Sequence, residues 1–433
     1  MEITKNITKN NIITGKFILL SLVLFLFYNC TIPTHTSVKH HKNLAYLYND
    51  SEAYLHPKYQ VYNFTNDSSI VYFKIPTEDL LVRDLGDKYD KYAVVELNYR
   101  LYESLSIASL IDSATITQKI IIDKSNKNNL YSFKIKTPYL IKSYLRIQIK
   151  DLYSERKRQD YIEIDKMSSV NRQNFLILSK SDKTPLFGNQ ILVGSYYLVE
   201  SELQKNNRLY VETQAIIKTI PNLPFSTQRT SSVKFKSDST YLLKNGILKT
   251  EQANLLFLTF DTTKIKGVAL YAYDSTENYL HTPRQMIEPL SYLLSPKEYQ
   301  LLLQDSNPKF ALDKFWLKMG ENTRHAKEMI KVYYHRVSVS NKYFSSYRLG
   351  WRTDRGMVYV IYGEPTVIYK SETLERWIYG NEESGQSILF DFKKEKNPFT
   401  DNDFELLREE EYQKTWFQAI DSWRNGRIYS IAK

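Results

Sequence analysis

The stretch Gly350-Trp-Arg-Thr-Asp-Arg-Gly-Met-Val-Tyr-Val-Ile-Tyr-Gly-Glu-Pro365 decides how the last third of the chain is read. Its first half gathers an aromatic side chain and three charged ones around two glycines. Gly350 can supply a turn that needs positive φ, and Gly356 permits close backbone approach. Trp351 offers a large apolar anchor with a single N–H donor. Thr353 and Asp354 can accept hydrogen bonds from backbone N–H groups in a tight turn, and Asp354 has Arg355 and Arg352 within pairing reach. The second half, Met357 to Tyr362, is β-branched and aromatic throughout. That composition predicts a strand covered on both faces, stopped by Gly363-Glu364-Pro365.

Working outward, the flanks supply the partners for such a strand. Ser295-Pro296-Lys297-Glu298 combines an N-cap serine, proline at the first helical position and glutamate three residues after the cap, so it predicts a helix to about Gln304. Phe315, Trp316 and Met319 mark a second apolar face. Ala326, Met329, Ile330, Tyr333 and Val337 recur at helical spacing after the interruption at Gly320-Glu-Asn322. Downstream, Arg376–Tyr379 and Ser387–Phe392 predict two further strands, and a last helix is expected from about Asp403 to Trp423, stopped by Asn425-Gly426. Residues 284–433 therefore read as an α+β domain. That domain holds all five tryptophans, which fits a packed core or an exposed face for a partner.

Gly350-Trp351-Arg352-Thr353-Asp354 resembles the signature of the GWxTD domain, a family found mainly in Bacteroidetes and related bacteria. The similarity takes in Leu312-Asp313-Lys314-Phe315-Trp316 and the segment around Tyr333-His335-Arg336-Val337. It continues through Arg355-Gly356 to Gly363-Glu364-Pro365 and Glu375-Arg376-Trp377-Ile378-Tyr379, covering about residues 285–430. Glu364 stands where proline is common and Thr366 where an acidic residue is common. The resemblance implies placement in a bacterial envelope rather than a reaction.

Chemistry has few carriers here. Asp354 and Glu364 are the acids that a general acid–base mechanism would use, with Arg355 stabilising an anion. Ten residues of strand would hold them more than about 25 Å apart. No Gly-x-Ser-x-Gly elbow or phosphate-cradling glycine loop occurs. His325 and His335, on one helical pattern, are separated by nearly 15 Å of axis, too far to share a metal. Neither a metal nor a cofactor is expected. Gly350, Trp351, Thr353, Asp354, Arg355, Gly356, Gly363 and Pro365 are expected to be structural or partner-binding.

Upstream, strand signals dominate. Candidates in the first stretch are 59–64, 69–75, 92–101, 114–122, 131–135, 145–152 and 161–164. Ser132-Phe133-Lys134-Ile135-Lys136 and Leu145-Arg-Ile-Gln-Ile-Lys150 alternate apolar and polar residues. A second set follows at 175–178, 190–199, 209–220, 233–236, 253–260 and 266–272. The fold class is therefore mixed: two all-β, immunoglobulin-like sandwiches, residues 51–168 and 169–283, followed by the α+β domain.

The amino terminus reads as a leader. Lys5, Lys9 and Lys16 precede the apolar run Phe17–Phe27, whose eleven residues would rise about 16 Å as a helix. That falls short of a roughly 30 Å hydrocarbon core, so residues 1–29 read as a signal peptide and not a membrane span. Cys30 follows directly and is the only cysteine in 433 residues, which excludes an internal disulfide. A lone cysteine in this place resembles a lipoprotein acceptor. Phe27-Tyr28-Asn29 before it replaces the usual small residue, in the looser pattern of bacteroidete lipoproteins. Residues 30–50 are then anchor and tether. No acidic export cluster follows Cys30, which points to the periplasmic face.

The formal charge is +11. The basic residues are dispersed apart from Arg156-Lys157-Arg158, and no nucleic-acid motif accompanies them. The expected role is a non-catalytic accessory or structural subunit of an outer-membrane machine of secretion, assembly or gliding type. Its partners would be an envelope protein complex and, through acylated Cys30, the lipid bilayer. The alternatives are an enzyme acting on peptidoglycan or glycan and a carbohydrate-binding lipoprotein.

Overall fold

Strict alternation along one long strand sets the first layer pair. The computed structural model describes residues 43–48, 54–84, 91–104, 109–122, 130–168, 170–202, 207–216, 218–228, 236–263, 267–273, 280, 282–381, 387–395, 400 and 402–431. The leader, Cys30 and most of the expected tether lie outside them. The first seven strands are β1 (Lys58–Tyr62), β2 (Ser68–Lys74), β3 (Lys91–Tyr102), β4 (Leu110–Ile122), β5 (Leu130–Lys136), β6 (Lys142–Asp151) and β7 (Lys157–Asp165). They form one sheet ordered β1-β2-β5 and another ordered β4-β3-β6-β7. On β3, Ala93, Val95, Leu97, Tyr99 and Leu101 are buried. In the antiparallel register Leu97 faces Ile149, Tyr99 faces Ile147 and Leu101 faces Leu145. Val71, Phe73 and Ile135 of the other sheet close the same core, so the layers form a sandwich.

The second β region holds β8 (Leu176–Ser179), β9 (Gln190–Leu192), β10 (Tyr196–Glu200), β11 (Tyr210–Gln214), β12 (Ser239–Leu242), β13 (Ile247–Lys249), β14 (Asn254–Thr259) and β15 (Gly267–Tyr273). The expected strand 190–199 divides into two at a turn where Gly194 takes a φ of +81°. The expected strand 233–236 falls mainly outside the described residues. A sheet ordered β13-β10-β8 packs on one ordered β12-β11-β14-β15-β9. One face of β14 and β15, through Leu256, Leu258, Val268 and Leu270, fills the sandwich core. The other face, Leu255, Phe257 and Ala269, receives Tyr347 from the carboxy-terminal region.

The carboxy-terminal region has helices α1 (Pro283–Ile287), α2 (Pro296–Gln304), α3 (Pro308–Gly320), α4 (Thr323–Phe344), α5 (Asp354–Tyr362) and α6 (Tyr412–Arg424). Its sheet runs β16-β17-β18-β19, from strands β16 (Val367–Lys370), β17 (Leu374–Tyr379), β18 (Ile388–Lys394) and β19 (Phe404–Leu406). The Ser295/Glu298 capping box opens α2 as expected. Two expectations fail. Residues 354–362 are a helix, where a strand was expected over 357–362, and the last helix starts at Tyr412, its expected first turns being β19.

The physical reason is burial. Every residue of α5 is buried, so from Met357 to Tyr362 no polar position interrupts the apolar run to reveal a helical period. Thr353 caps the first turn and Gly363, with a φ of +84°, ends the last. Trp316, Trp351, Trp377, Trp416 and Trp423 are all buried in the surrounding core.

An aromatic slot in this region holds residues that the sequence placed in the tether. Leu44, Ala45 and Tyr48 are buried in the carboxy-terminal core. The Leu44 N–H donates to Ile368 O at the edge strand β16 (2.8 Å).

The buried junction at the signature motif

Gly350–Arg352 forms a single 3-10 turn that leads into α5. Gly350 has no positive φ, contrary to expectation; its requirement is steric. A Cβ there would lie 1.8 Å from Ser340 O on α4, and one at Gly356 would lie 1.9 Å from Gly350 O. The two glycines let α4, the turn and α5 cross at backbone contact. Thr353 Oγ1 joins the levels, accepting from Gly356 N (3.1 Å) and donating to Gly350 O (2.7 Å). Trp351 is 1% exposed, and its carbonyl accepts from the Tyr292 hydroxyl (2.7 Å).

Each charged motif side chain reaches a different element. Asp354 pairs with Arg408 beyond β19, at 2.6 Å from Oδ1 and 3.2 Å from Oδ2, and not with Arg352 or Arg355. Its Oδ2 also accepts from Leu406 N (2.8 Å). Arg352 meets Glu288 beside α1 (2.6 Å) and donates to Lys218 O of the second β region. Arg355 meets Glu375 on β17 (3.2 Å) and Asn402 Oδ1 (2.5 Å). Asn402 in turn donates to Tyr343 O and Ser345 O at the end of α4.

Glu375 is wholly buried. Burial pushes its carboxyl upward, but the charges of Lys370 and Arg355 and the hydrogen bonds from Trp377 and Tyr48 outweigh that, so it lies below the usual carboxylate range. At the far end of α5, Arg336 of α4 donates to Ile361 O (2.8 Å) and Tyr429 O (2.9 Å). A cation at the last helical carbonyls complements the dipole. Burial lowers the Arg336 pKa to about 10, which leaves it charged. Gly363 leaves room for that guanidinium, since a Cβ there would stand 2.7 Å from it. Pro365 is buried just beyond.

Chemically, this arrangement fixes α1, α4, β17 and β19 to one short helix. Both oxygens of Asp354 are engaged, and the residue is 6% exposed. Asp354 and Glu364 flank a helix instead of a strand, so their backbone separation is about 15 Å. Among the described residues no group of three or more His, Cys, Asp or Glu could hold a metal ion, and no helix is long and apolar enough to cross a membrane.

Sequence reading located the motif and missed its partners Glu288, Glu375, Asn402 and Arg408. Glu375 stood within the segment of resemblance and Arg408 within the expected last helix, but neither was read as a partner of the motif. Arg408 directly precedes the acidic run Glu409-Glu410-Glu411, which reads as solvated surface.

The family description "GWxTD domain" matches residues 254–425. The match begins at β14, about thirty residues before the span that the motifs indicated. That β14 sheet receives Tyr347 on its outer face. Among curated proteins no match was found.

Proposed function

We propose that this chain is a cell-envelope lipoprotein, held at the outer membrane by an acylated Cys30, that serves as a non-catalytic accessory or structural subunit of a protein machine there. The machine would be of the secretion, membrane-protein assembly or gliding type, and the protein would face the periplasm. One observation carries the reading. The charged side chains of the motif, Arg352, Asp354 and Arg355, are each buried and bound to an internal partner. A residue engaged in this way holds segments together, whereas a group that acts on substrate must reach it. The apolar leader and its terminal cysteine supply the envelope part of the proposal, and several acyl chains, at about 0.8 kcal/mol per buried methylene, would anchor the protein stably.

Cross-linking in the native envelope, followed by capture of the chain and mass spectrometry, tests the role. The expected outcome is a reproducible envelope protein partner. Recovery of glycan with no protein partner would favour the enzyme or carbohydrate-binding alternatives. Replacing Cys30 by alanine should release the protein from the membrane fraction; unchanged fractionation contradicts the anchor.

A further inference from the structure

We propose that Asn43–Tyr48 is an intramolecular peptide ligand: a strap that docks in a preformed slot, clamps the first sandwich to the carboxy-terminal region and can be undocked as a unit. The slot holds a single 3-10 turn, Ala45–Leu47, whose entry residues Asn43 and Leu44 lie against the β16 edge. Asn43 reads the β16 edge with its side chain, donating to Thr366 O (3.1 Å) and accepting from Ile368 N (3.0 Å). Leu44 adds the backbone bond to Ile368 O, so the peptide occupies the β16 edge opposite β17, which is its one strand partner among the described residues. Asn43 Oδ1 also accepts from Ala45 N (2.9 Å), turning the peptide inward.

Tyr48 is the anchor. Its ring centroid lies 5.4 Å from that of Tyr343, 5.0 Å from Phe344 and 5.9 Å from Trp377. Its hydroxyl donates to Glu375 Oε2 (3.2 Å), the carboxylate that also holds Arg355 of the motif. Tyr359 of α5 donates to Tyr48 O (3.3 Å). The other side of the strap faces the first sandwich. Arg158 on β7 donates to Leu47 O (3.1 Å), and Gln159 donates to the Tyr46 hydroxyl (3.3 Å).

Two features make the strap a ligand and not simply a terminus. It is six residues long yet contributes three buried side chains and a buried charge-assisted hydrogen bond, an anchor pattern typical of recognised peptides. It also supplies one partner to Glu375 from outside the motif. Undocking would remove that partner, uncover an aromatic slot and take away the Leu47 and Tyr46 contacts to the first sandwich. Any pull applied to the chain before Asn43 would therefore reach the motif region before the first sandwich. The inference holds whether or not Cys30 is acylated.

The test uses the full chain with a protease site inserted between Tyr48 and Tyr54 and an affinity tag before Asn43. After cleavage, retention of the body on the tagged fragment is followed over time, with and without excess synthetic peptide spanning residues 40–52. The expected result is retention after cleavage and release by the free peptide. Tyr48→Phe keeps the ring and removes the hydrogen bond to a carboxylate, so it should release about tenfold faster. Immediate separation of the wild-type fragment overturns the proposal. So does retention that neither the peptide nor Tyr48→Phe alters.

Discussion

At the scale of single residues, the motif works through what it excludes and what it pairs. Gly350 is required by Ser340 O, which would sit inside the space of any Cβ. Gly350→Ala should therefore destabilise the region by about 3 kcal/mol, read as a lowered midpoint in urea, because the obstruction is backbone and cannot rotate away. Trp351→Ala should cost about 3–5 kcal/mol, since the ring is almost wholly buried. A change within experimental error for either variant contradicts the packing described here. The residue types in Gly350–Pro365 marked a tight turn with a bulky apolar anchor. Their partners were not legible, because Arg408 lies 54 residues from Asp354 and nothing local marks the pairing.

Among elements, the instructive case is α5. Its sequence carried the boundary signals of a helix: Thr353 followed by Asp354 at the start, Gly363 and then Pro365 at the end. The apolar, β-branched composition between them argues for a strand. Total burial removes the periodicity that normally arbitrates, so the caps were the better guide. By contrast, α2 was legible because its capping box is exposed and complete. Glu298 in that box also meets Arg424 of α6 (2.7 Å). The hydrogen bond from Arg424 pulls the Glu298 pKa down to about 2 against the opposing effect of burial. Its folded value is thus below its unfolded one, near 4.3. The stabilisation is fully present above about pH 4.3 and is lost as pH falls through about 2. Glu298→Gln keeps a side chain that can complete the box. Its stability deficit relative to wild type should be constant near neutral pH and vanish between about pH 4 and 2. A deficit independent of pH contradicts the link.

For the whole molecule, alternation was enough to reveal the sandwiches, as β3 and β6 show. It could not reveal how they are held. Tyr347 seats on the outer face of β14 and β15, Lys394 reaches Glu163 on β7 (3.3 Å), and Asn43 contacts Thr366 across 323 residues. Contacts so remote in sequence leave no periodic trace, which is why Asn43–Tyr48 read as tether. Spacers on a string would unfold independently. These junctions predict instead that Tyr347→Ala weakens the second sandwich along with the carboxy-terminal region, seen as faster hydrogen exchange in β14 and β15. Unchanged exchange there contradicts the coupling.

The proposed role requires a motif that holds the fold and does no chemistry of its own. The most direct measurement compares Asp354→Asn, Arg408→Met and the double variant for urea stability and for recovery of envelope partners. Asp354→Asn takes the 2.6 Å carboxylate from Arg408 and Arg408→Met takes the guanidinium from Asp354, each at an expected cost of roughly 3 kcal/mol, whereas the double change removes the charged pair together. The account predicts that stability and partner recovery return together in the double variant. Restored stability without restored partner recovery or cellular function would contradict it and assign the Asp354 carboxylate a role beyond the fold.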